Sequence, residues 1–164
     1  MKLYAKPIAQ NAEGFEFSKL NEFIYASTTC RDTAGEQVKK FGIEFIEGSE
    51  ADCFLAKHWP LKHTTLKTYL EAAENWSAED KVKYIIAVGE LGFERAEYIA
   101  GQDRLGVELH KFATMTCFAQ HEIDHGSYSH YPKDKIDLQT VTEELAADYD
   151  EINIDGVNYI YLAE

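Results

Sequence analysis

The sequence predicts an α+β fold built from short antiparallel strands and short helices, with a helix and a β-hairpin at the C-terminus. Apolar residues make up 45% of the 164 residues, which is enough to form a buried core. Some segments repeat apolar residues with helical spacing, and others alternate them as a half-buried strand does. Near the C-terminus a helical pattern is followed by an Asp-Gly pair between two alternating apolar runs. That pair is the strongest short-range signal for a β-hairpin.

The first part of the chain predicts strands on either side of a helix. The predicted elements are a strand at 14–17, a helix capped by Ser18, a turn at 31–36 and a strand at 38–46. The helix is expected to bury Leu20, Phe23, Ile24 and Ala26. Gly48 ends the second strand, and the pattern Ser49 to Asp52 then predicts a capping box and a helix reaching Lys57.

The middle of the chain predicts two more helices. Trp59-Pro60 ends the helix before it, because proline disfavours helical geometry in the residue that precedes it. Thr64 or Thr65 is expected to cap the first, with a buried stripe of Leu66, Tyr69, Leu70 and Ala73. Ser77 is expected to cap the second, with Val82, Ile85 and Ile86 facing inward.

The last part of the chain predicts a helix, a loop, a second helix and the hairpin. These elements are expected at 107–122, 125–135, 137–149 and 152–161, after a connection at 92–106 with a short strand at 96–99. The second helix is capped by Asp137 and carries the apolar stripe Leu138, Val141, Leu145 and Tyr149.

The charge of the chain is strongly negative and unevenly distributed. Twenty-nine acids oppose sixteen bases, which gives a net charge of −13. Residues 1–48 are nearly neutral, whereas residues 136–164 contain eight acids and no Lys or Arg. A surface of this kind repels nucleic acid and anionic membranes, and it attracts proteins that have basic clefts. The simpler interpretation is a solvated face that keeps the protein soluble.

The cysteines and the N-terminus indicate a reducing cytoplasm. Cys30, Cys53 and Cys117 are odd in number and far apart, so neither a disulfide framework nor a structural zinc site is expected. All three lie among apolar residues and are expected in the core. The N-terminal residues lack the apolar run of a signal peptide, and no segment approaches the length of a membrane helix.

One stretch allows a catalytic alternative. Residues 121–125, HEIDH, fit the pattern in which two histidines on one helix face hold zinc and the glutamate activates bound water. Glu143 or Glu144 could then supply a third ligand to a small zinc-dependent metallopeptidase. Against this, Gly126 directly follows His125, so the helix is expected to end at the second histidine. The preferred interpretation has no metal, cofactor or catalytic residue.

Four stretches, in order, resemble the ArdA family of antirestriction proteins. They are GFEFSKLNEFIYASTTCRD at 14–32, GIEFIEGSEADCFLAKHW at 42–59, YLEAAENWSAEDKVKYIIAVGELGFE at 69–94, and IDLQTVTEELAADYDEINIDGVNYIYLAE at 136–164. Together they cover over half the chain. This sequence departs from the family at CFAQHEIDHGSYSHYP, where the family usually has a helix ending in a Gly-Leu-Phe-Gly-like turn.

The resemblance implies an elongated chain of three small α/β modules: an N-terminal module at 1–60, a central helical module at 61–103 and an acidic module at 104–164. It also implies a protein that imitates double-stranded DNA. Its carboxylates stand in for phosphates and occupy the DNA channel of type I restriction-modification enzymes or of a related DNA-targeting defence complex, and the protein is a homodimer. It is then no enzyme, and it binds neither nucleic acid nor membrane. The expected mimic carboxylates are Glu71, Glu74, Glu79, Asp80, Glu90, Glu94 and Glu97 in the middle segment, and Asp137, Glu143, Glu144, Asp148, Asp150, Glu151 and Asp155 near the C-terminus.

Overall fold

The computed structural model describes residues 1–8, 11–94, 107–131 and 136–162. Within these residues six α-helices accompany two antiparallel sheets of three strands each, so the predicted α+β class is confirmed. The strands are β1 Lys2–Pro7, β2 Phe15–Phe17, β3 Phe41–Glu47, β4 Leu109–Lys111, β5 Tyr149–Ile154 and β6 Val157–Leu162. The helices are α1 Leu20–Thr29, α2 Glu50–His58, α3 Leu66–Asn75, α4 Ala78–Tyr84, α5 Met115–Asp124 and α6 Leu138–Asp148.

The first sheet has the strand order β2-β1-β3, with β1 in the centre. Leu3 and Ala5 of β1 are fully buried, and they alternate with lysines at positions 2 and 6. Leu3 lies opposite Phe17 on one side and opposite Phe45 on the other. The sequence analysis did not predict β1, although its alternating pattern is that of a half-buried strand.

Helix α1 covers this sheet through an aromatic cluster. The Phe23 ring lies 5.1 Å from the Phe17 ring and 5.9 Å from the Phe41 ring, measured between centroids. Ile24, predicted to share the buried face, is instead 52% exposed. A ten-residue helix lying on a three-stranded sheet buries a narrow stripe, and Ile24 falls outside it.

The second sheet has the order β4-β6-β5 and contains the predicted hairpin. Asp155 and Gly156 connect β5 to β6 with φ angles of 52° and 74°. A two-residue turn with positive φ at both positions matches the twist of the flanking strands, which is why Asp-Gly is favoured there. The hairpin prediction is confirmed, and β5 begins at Tyr149, where α6 ends.

The predicted helix at 107–122 is wrong in its first turns. Residues Leu109–Lys111 form β4, with Leu109 opposite Tyr161 of β6, and α5 begins only at Met115. Thr114 is the N-cap, and its side chain accepts a hydrogen bond from the Cys117 backbone N–H at 3.2 Å. Apolar spacing alone cannot separate a short strand from the first turn of a helix, and pairing with β6 decides between them.

Helix α4 passes into a π-helix, Ile85–Glu90, which the sequence analysis did not predict. Ile85, Ile86 and Ala87 are fully buried there. Gly89 lies against the His58 ring: a Cβ atom at that position would stand 2.7 Å from Cε1 of His58. A wider turn places this glycine close to the end of α2.

Both faces of the second sheet are covered. Tyr159 and Tyr161 face a core that includes Ala51 of α2 and Ile86 of the π-helix. Ile160, which points the opposite way, is fully buried against Phe118 of α5. The acidic helix α6 and strand β5 therefore rest on a packed support.

Two cysteine predictions are wrong. Cys53 and Cys117 are exposed, and Cys30 is half-buried. Both exposed cysteines lie on helices, on faces turned away from the core, which their apolar sequence neighbours did not reveal.

Some predictions are not tested by the described residues. The strand expected at 96–99 and residues 132–135 of the expected loop lie outside the described residues. The three-module division stays a prediction. No helix in the described ranges combines the length and the apolar composition needed to cross a membrane.

Candidate functional site

Helix α6 presents the predicted carboxylates outward because its apolar stripe faces the protein. Asp137 caps the helix, with Oδ2 accepting hydrogen bonds from the Thr140 backbone N–H at 3.1 Å and from its hydroxyl at 2.8 Å. These hydrogen bonds lower the pKa of Asp137. Val141 is buried and Leu145 packs against Phe118 and Ile160. The carboxylates on the exposed side of α6 are those of Glu143, Glu144 and Asp148.

Strand β5 continues the row of exposed acids that begins on α6. Tyr149 is the first residue of the strand, and Asp150 and Glu151 follow it, both exposed. β5 pairs only with β6, so it is an edge strand of its sheet. Charges on an edge strand discourage pairing with another chain, which gives these two acids a structural role in addition to any binding role.

The acids of α6 and β5 have no cation beside them in the part of the chain that the structure describes. Glu143, Glu144, Asp148, Asp150 and Glu151 make no ion pair with a described Lys or Arg. Residues 107–131 and 136–162 together contain ten acids and one lysine, Lys111. Among the described residues, the acids of α6 and β5 therefore have no cation that neutralises them.

Burial and nearby carboxylates together raise the pKa values of three tyrosines in this region. Burial and then Glu108 raise the pKa of Tyr149 to about 12, and Glu122 and Asp148 add to the effect. Burial and then Glu144 and Glu122 raise the pKa of Tyr128. In each case ionisation would place a negative phenolate near a carboxylate, and the repulsion between the two charges raises the pKa of the tyrosine. Burial and then Asp150 and Glu90 do the same at Tyr161.

The structure adds two acids that the sequence analysis did not assign to the surface. Glu108 Oε1 accepts a hydrogen bond from the Tyr149 hydroxyl at 3.1 Å and lies 2.8 Å from Nε2 of His110. Glu122 lies on α5, which packs along α6. The sequence predicts a role for Glu122 only as the glutamate of the HEIDH zinc pattern, and Glu108 lies in the segment predicted as a helix. Only the packing of the sheet and α5 against α6 brings them to Tyr149.

We call the exposed carboxylates of this region, with the two that adjoin them, the acidic surface. It consists of Glu108, Glu122, Glu143, Glu144, Asp148, Asp150 and Glu151. Its support is the packed sheet and helix α5.

The middle acids form a different arrangement, in which local cations and hydroxyls engage several carboxylates. Glu71 pairs with Lys67 at 3.7 Å, and Glu79 pairs with Lys83 at 3.4 Å. Asp80 accepts a hydrogen bond from Ser77 Oγ at 2.6 Å at the start of α4. Asp80 is half-buried, the other described members are exposed, and Glu97 lies outside the described residues. The middle segment therefore offers a weaker negative potential than the acidic surface.

Asp155 is exposed, yet its carboxylate is used within the protein. Its Oδ1 accepts a hydrogen bond from the Glu50 backbone N–H at 2.8 Å, and its Oδ2 accepts one from Ala51 N–H at 3.3 Å. In return the Glu50 carboxylate accepts a hydrogen bond from the Asp155 backbone N–H at 2.6 Å. Asp155 thus ties the hairpin turn to the N-terminus of α2, where a negative charge is favourable.

The HEIDH stretch ends a helix, as its glycine predicted. Helix α5 ends at Asp124, His125 is its C-cap, and Gly126 follows with a φ of 88°. The imidazoles of His121 and His125 lie 3.8 Å apart between centroids, and His125 Nδ1 is 2.9 Å from the His121 carbonyl oxygen. Within the described ranges no three His, Cys, Asp or Glu side chains converge as a metal site. The zinc alternative rests on these two histidines.

No protein-family model, curated protein or solved structure matches this chain. The resemblance to the antirestriction family stays a prediction.

Proposed function

We propose that this protein is a DNA mimic. Its surface carboxylates take the place of DNA phosphates and occupy the DNA-binding channel of a host defence enzyme, of which a type I restriction-modification complex is the expected case. It acts in the cytoplasm as a homodimer, without catalysis and without a cofactor. The observation that carries the proposal is the acidic surface, whose α6 and β5 carboxylates pair with no described Lys or Arg.

The positions of these acids favour a binding role over solubility alone. Glu144 and Asp148 are four residues apart on α6, where two like charges destabilise a helix by about 0.2–0.5 kcal/mol. Asp148 is also the last residue of the helix, where the helix dipole disfavours a negative charge by about 0.3–1 kcal/mol. Lys or Arg there would relieve both effects and so improve stability. A requirement for negative charge at this place explains why neither occurs.

The amount of charge is suited to a duplex of moderate length. B-DNA carries one negative charge per about 1.7 Å of helix axis, so the charge of two chains, each −13, corresponds to about 44 Å of duplex. A channel lined by Lys and Arg to hold such a duplex would attract the protein at long range, and association would slow as salt rises.

The proposal is tested by capture and competition. The tagged protein is used to retain its partner from a host that restricts foreign DNA, and the retained enzyme is then offered labelled duplex DNA in the presence of increasing amounts of the protein. We expect the protein to displace the duplex, and we expect its own binding to the enzyme, measured without DNA, to weaken as salt rises because the attraction is screened.

Two outcomes of that experiment contradict the proposal. The retained enzyme could bind DNA and the protein at the same time, which places the protein outside the DNA channel. Alternatively, direct binding of the protein to the enzyme could be unaffected by salt, which removes the electrostatic basis. The zinc alternative predicts instead that the untagged protein is purified with one equivalent of zinc.

A further inference from the structure

A groove with two aromatic walls lies beside the acidic surface, between the end of α5 and the start of α6. It has a volume of about 570 Å³ and is lined by the rings of Tyr128 and Tyr131 together with Ile123, Asp124 and Ile136. A smaller recess of about 120 Å³ shares both rings and extends along α6 to Glu144. A drug-sized ligand needs a site of about 300–1,000 Å³. The recess is smaller than that and has room for a single side chain.

The two tyrosine rings form flat faces for a planar group. Their centroids are 6.5 Å apart and their planes differ by 29°, so the rings are nearly parallel. Tyr131 is 52% exposed, which leaves its ring open to a partner. Tyr128 is half-buried, which fixes its position at the junction of groove and recess.

Glu144 is the carboxylate at the recess that accepts no hydrogen bond from any described residue. Asp124 Oδ1 already accepts a hydrogen bond from Gln120 at 2.9 Å, and Asp137 Oδ2 accepts two from Thr140. Glu144 forms no hydrogen bond or ion pair with any residue in the described ranges, and it acts on the Tyr128 phenol electrostatically. The recess therefore combines aromatic faces with a negative charge that no described residue pairs.

We infer that this recess binds an arginine side chain of the protein partner. A guanidinium is planar and always charged, so it can stack on a tyrosine ring while it donates hydrogen bonds to a carboxylate. Lysine provides a point charge without a flat face, and a phosphate or carboxylate ligand is repelled by the surrounding acids. The recess thereby adds a specific contact to the diffuse attraction of the acidic surface. This inference rests on the proposed function, which supplies a partner rich in arginine.

The test uses short peptides and the full-length protein. Acetylated and amidated Gly-Arg-Gly-Arg-Gly is titrated into the protein, and the ring resonances of Tyr128 and Tyr131 are followed by NMR; lysine and citrulline versions of the peptide are titrated in parallel. We expect the lysine peptide to bind about two- to fivefold more weakly and the uncharged citrulline peptide more weakly still.

Matched variants separate the recess from the net charge. Glu144→Gln is expected to weaken arginine binding about two- to fivefold, whereas Glu143→Gln removes the same charge from the adjacent position outside the recess and is expected to change it much less. Tyr131→Ala is expected to weaken binding about two- to fivefold, and Tyr25→Ala, at a 74% exposed position on α1, is expected to leave it unchanged. Circular dichroism confirms that each variant is folded.

The results that overturn the inference differ from those that overturn the proposed function. No binding of the arginine peptide, equal binding of the three peptides, or equal effects of Glu144→Gln and Glu143→Gln would each remove the recess as an arginine site. Displacement of DNA from the captured enzyme would be unaffected by that failure. If the peptides discriminate as expected but the protein never displaces DNA, the arginine site stands and the DNA-mimic function falls.

Discussion

Asp155 connects two segments that lie far apart in the sequence, the β5–β6 turn and the start of α2. It occupies a turn position with positive φ and accepts hydrogen bonds from two backbone N–H groups of α2. The sequence identified the turn, because Asp-Gly between apolar runs is a local pattern. It could not identify the contact with α2, since Glu50 and Asp155 are 105 residues apart. The same carboxylate was therefore assigned to the mimic surface.

We predict that Asp155→Gly destabilises the protein by about 1 kcal/mol. Glycine keeps the positive φ of the turn, so the loss reports the missing hydrogen bonds to α2 and not strain in the turn. Asp155→Asn, whose amide oxygen can still accept a hydrogen bond, is expected to lose less. Urea denaturation measures both variants. An Asp155→Gly protein as stable as the parent would show that the contact with α2 contributes nothing.

The histidines of HEIDH provide a second prediction for single residues. His125 caps α5, and its ring nitrogen faces the His121 carbonyl oxygen. We expect the combined changes His121→Ala and His125→Ala to leave DNA displacement intact, because the acidic surface does not include them. The displacement assay on the captured enzyme measures this. Loss of activity in a folded double variant, or on addition of a chelator, would favour the zinc alternative.

At the scale of elements, the sequence predicted those whose patterns are long or capped. Ser49 and Ser77 accept hydrogen bonds from backbone N–H groups three residues later, at 3.0 Å in both cases, as their patterns indicated. Two strands are missed for different reasons. β4 has only three residues and is decided by its pairing with β6, whereas β1 carries an alternating pattern that is itself a local strand signal. The exposure of the acids on α6 follows from its apolar stripe.

The π-helix is the element with no sequence signal, and Gly89 gives it a testable feature. π-helical turns are rare and often lie at functional sites. The buried Nε2 of His58 has no hydrogen-bond partner among the described residues, and burial lowers the pKa of this histidine. Gly89 permits the close approach of that ring.

We predict that Gly89→Ala destabilises the protein by about 1–3 kcal/mol, because the added methyl group overlaps the His58 ring. Alanine ordinarily stabilises a helix relative to glycine, so a net loss identifies the overlap as its cause. Gly42→Ala is the control, because the nearest atom to a Cβ there is 3.9 Å away. Thermal unfolding measures both. Equal stability of the Gly89→Ala variant and the parent would indicate that His58 moves aside without cost.

At the scale of the whole molecule, the main feature is the unequal distribution of charge along the chain. The N-terminal 48 residues are nearly neutral, and the acids of α6 and β5 lack described cationic partners. The sequence predicted which residues form this acidic end. It could not predict that Glu108 and Glu122 adjoin it, or that Asp155 is engaged elsewhere, because both depend on packing between distant segments.

We predict that the protein is a homodimer in solution. A single chain carries the charge of only half the duplex length estimated for two, and two-fold symmetric enzymes that read DNA are best matched by a two-fold symmetric mimic. Light scattering is expected to give about twice the chain mass of 18.7 kDa. A monomer at micromolar concentrations would contradict this prediction and halve the available charge.

The central claim is that the acidic surface replaces DNA phosphates, and neutralising it without altering its shape tests that claim. The variant combines Glu144→Gln, Asp148→Asn and Glu151→Gln. The control combines Glu13→Gln, Glu36→Gln and Glu47→Gln, three exposed acids in the N-terminal 48 residues, and removes the same net charge. Removing the repulsion along α6 and the unfavourable dipole contact is expected to leave the variant as stable as the parent or slightly more stable.

The decisive measurement is the rate of association of these proteins with the captured enzyme as a function of salt. We predict that the C-terminal variant binds roughly ten- to hundredfold more weakly at low salt, that most of the loss is in the association rate, and that the difference shrinks as salt rises. The N-terminal control is expected to bind nearly as the parent does. Equal association of the C-terminal variant and the parent, with DNA displaced equally well, would contradict the claim that this surface is the DNA mimic.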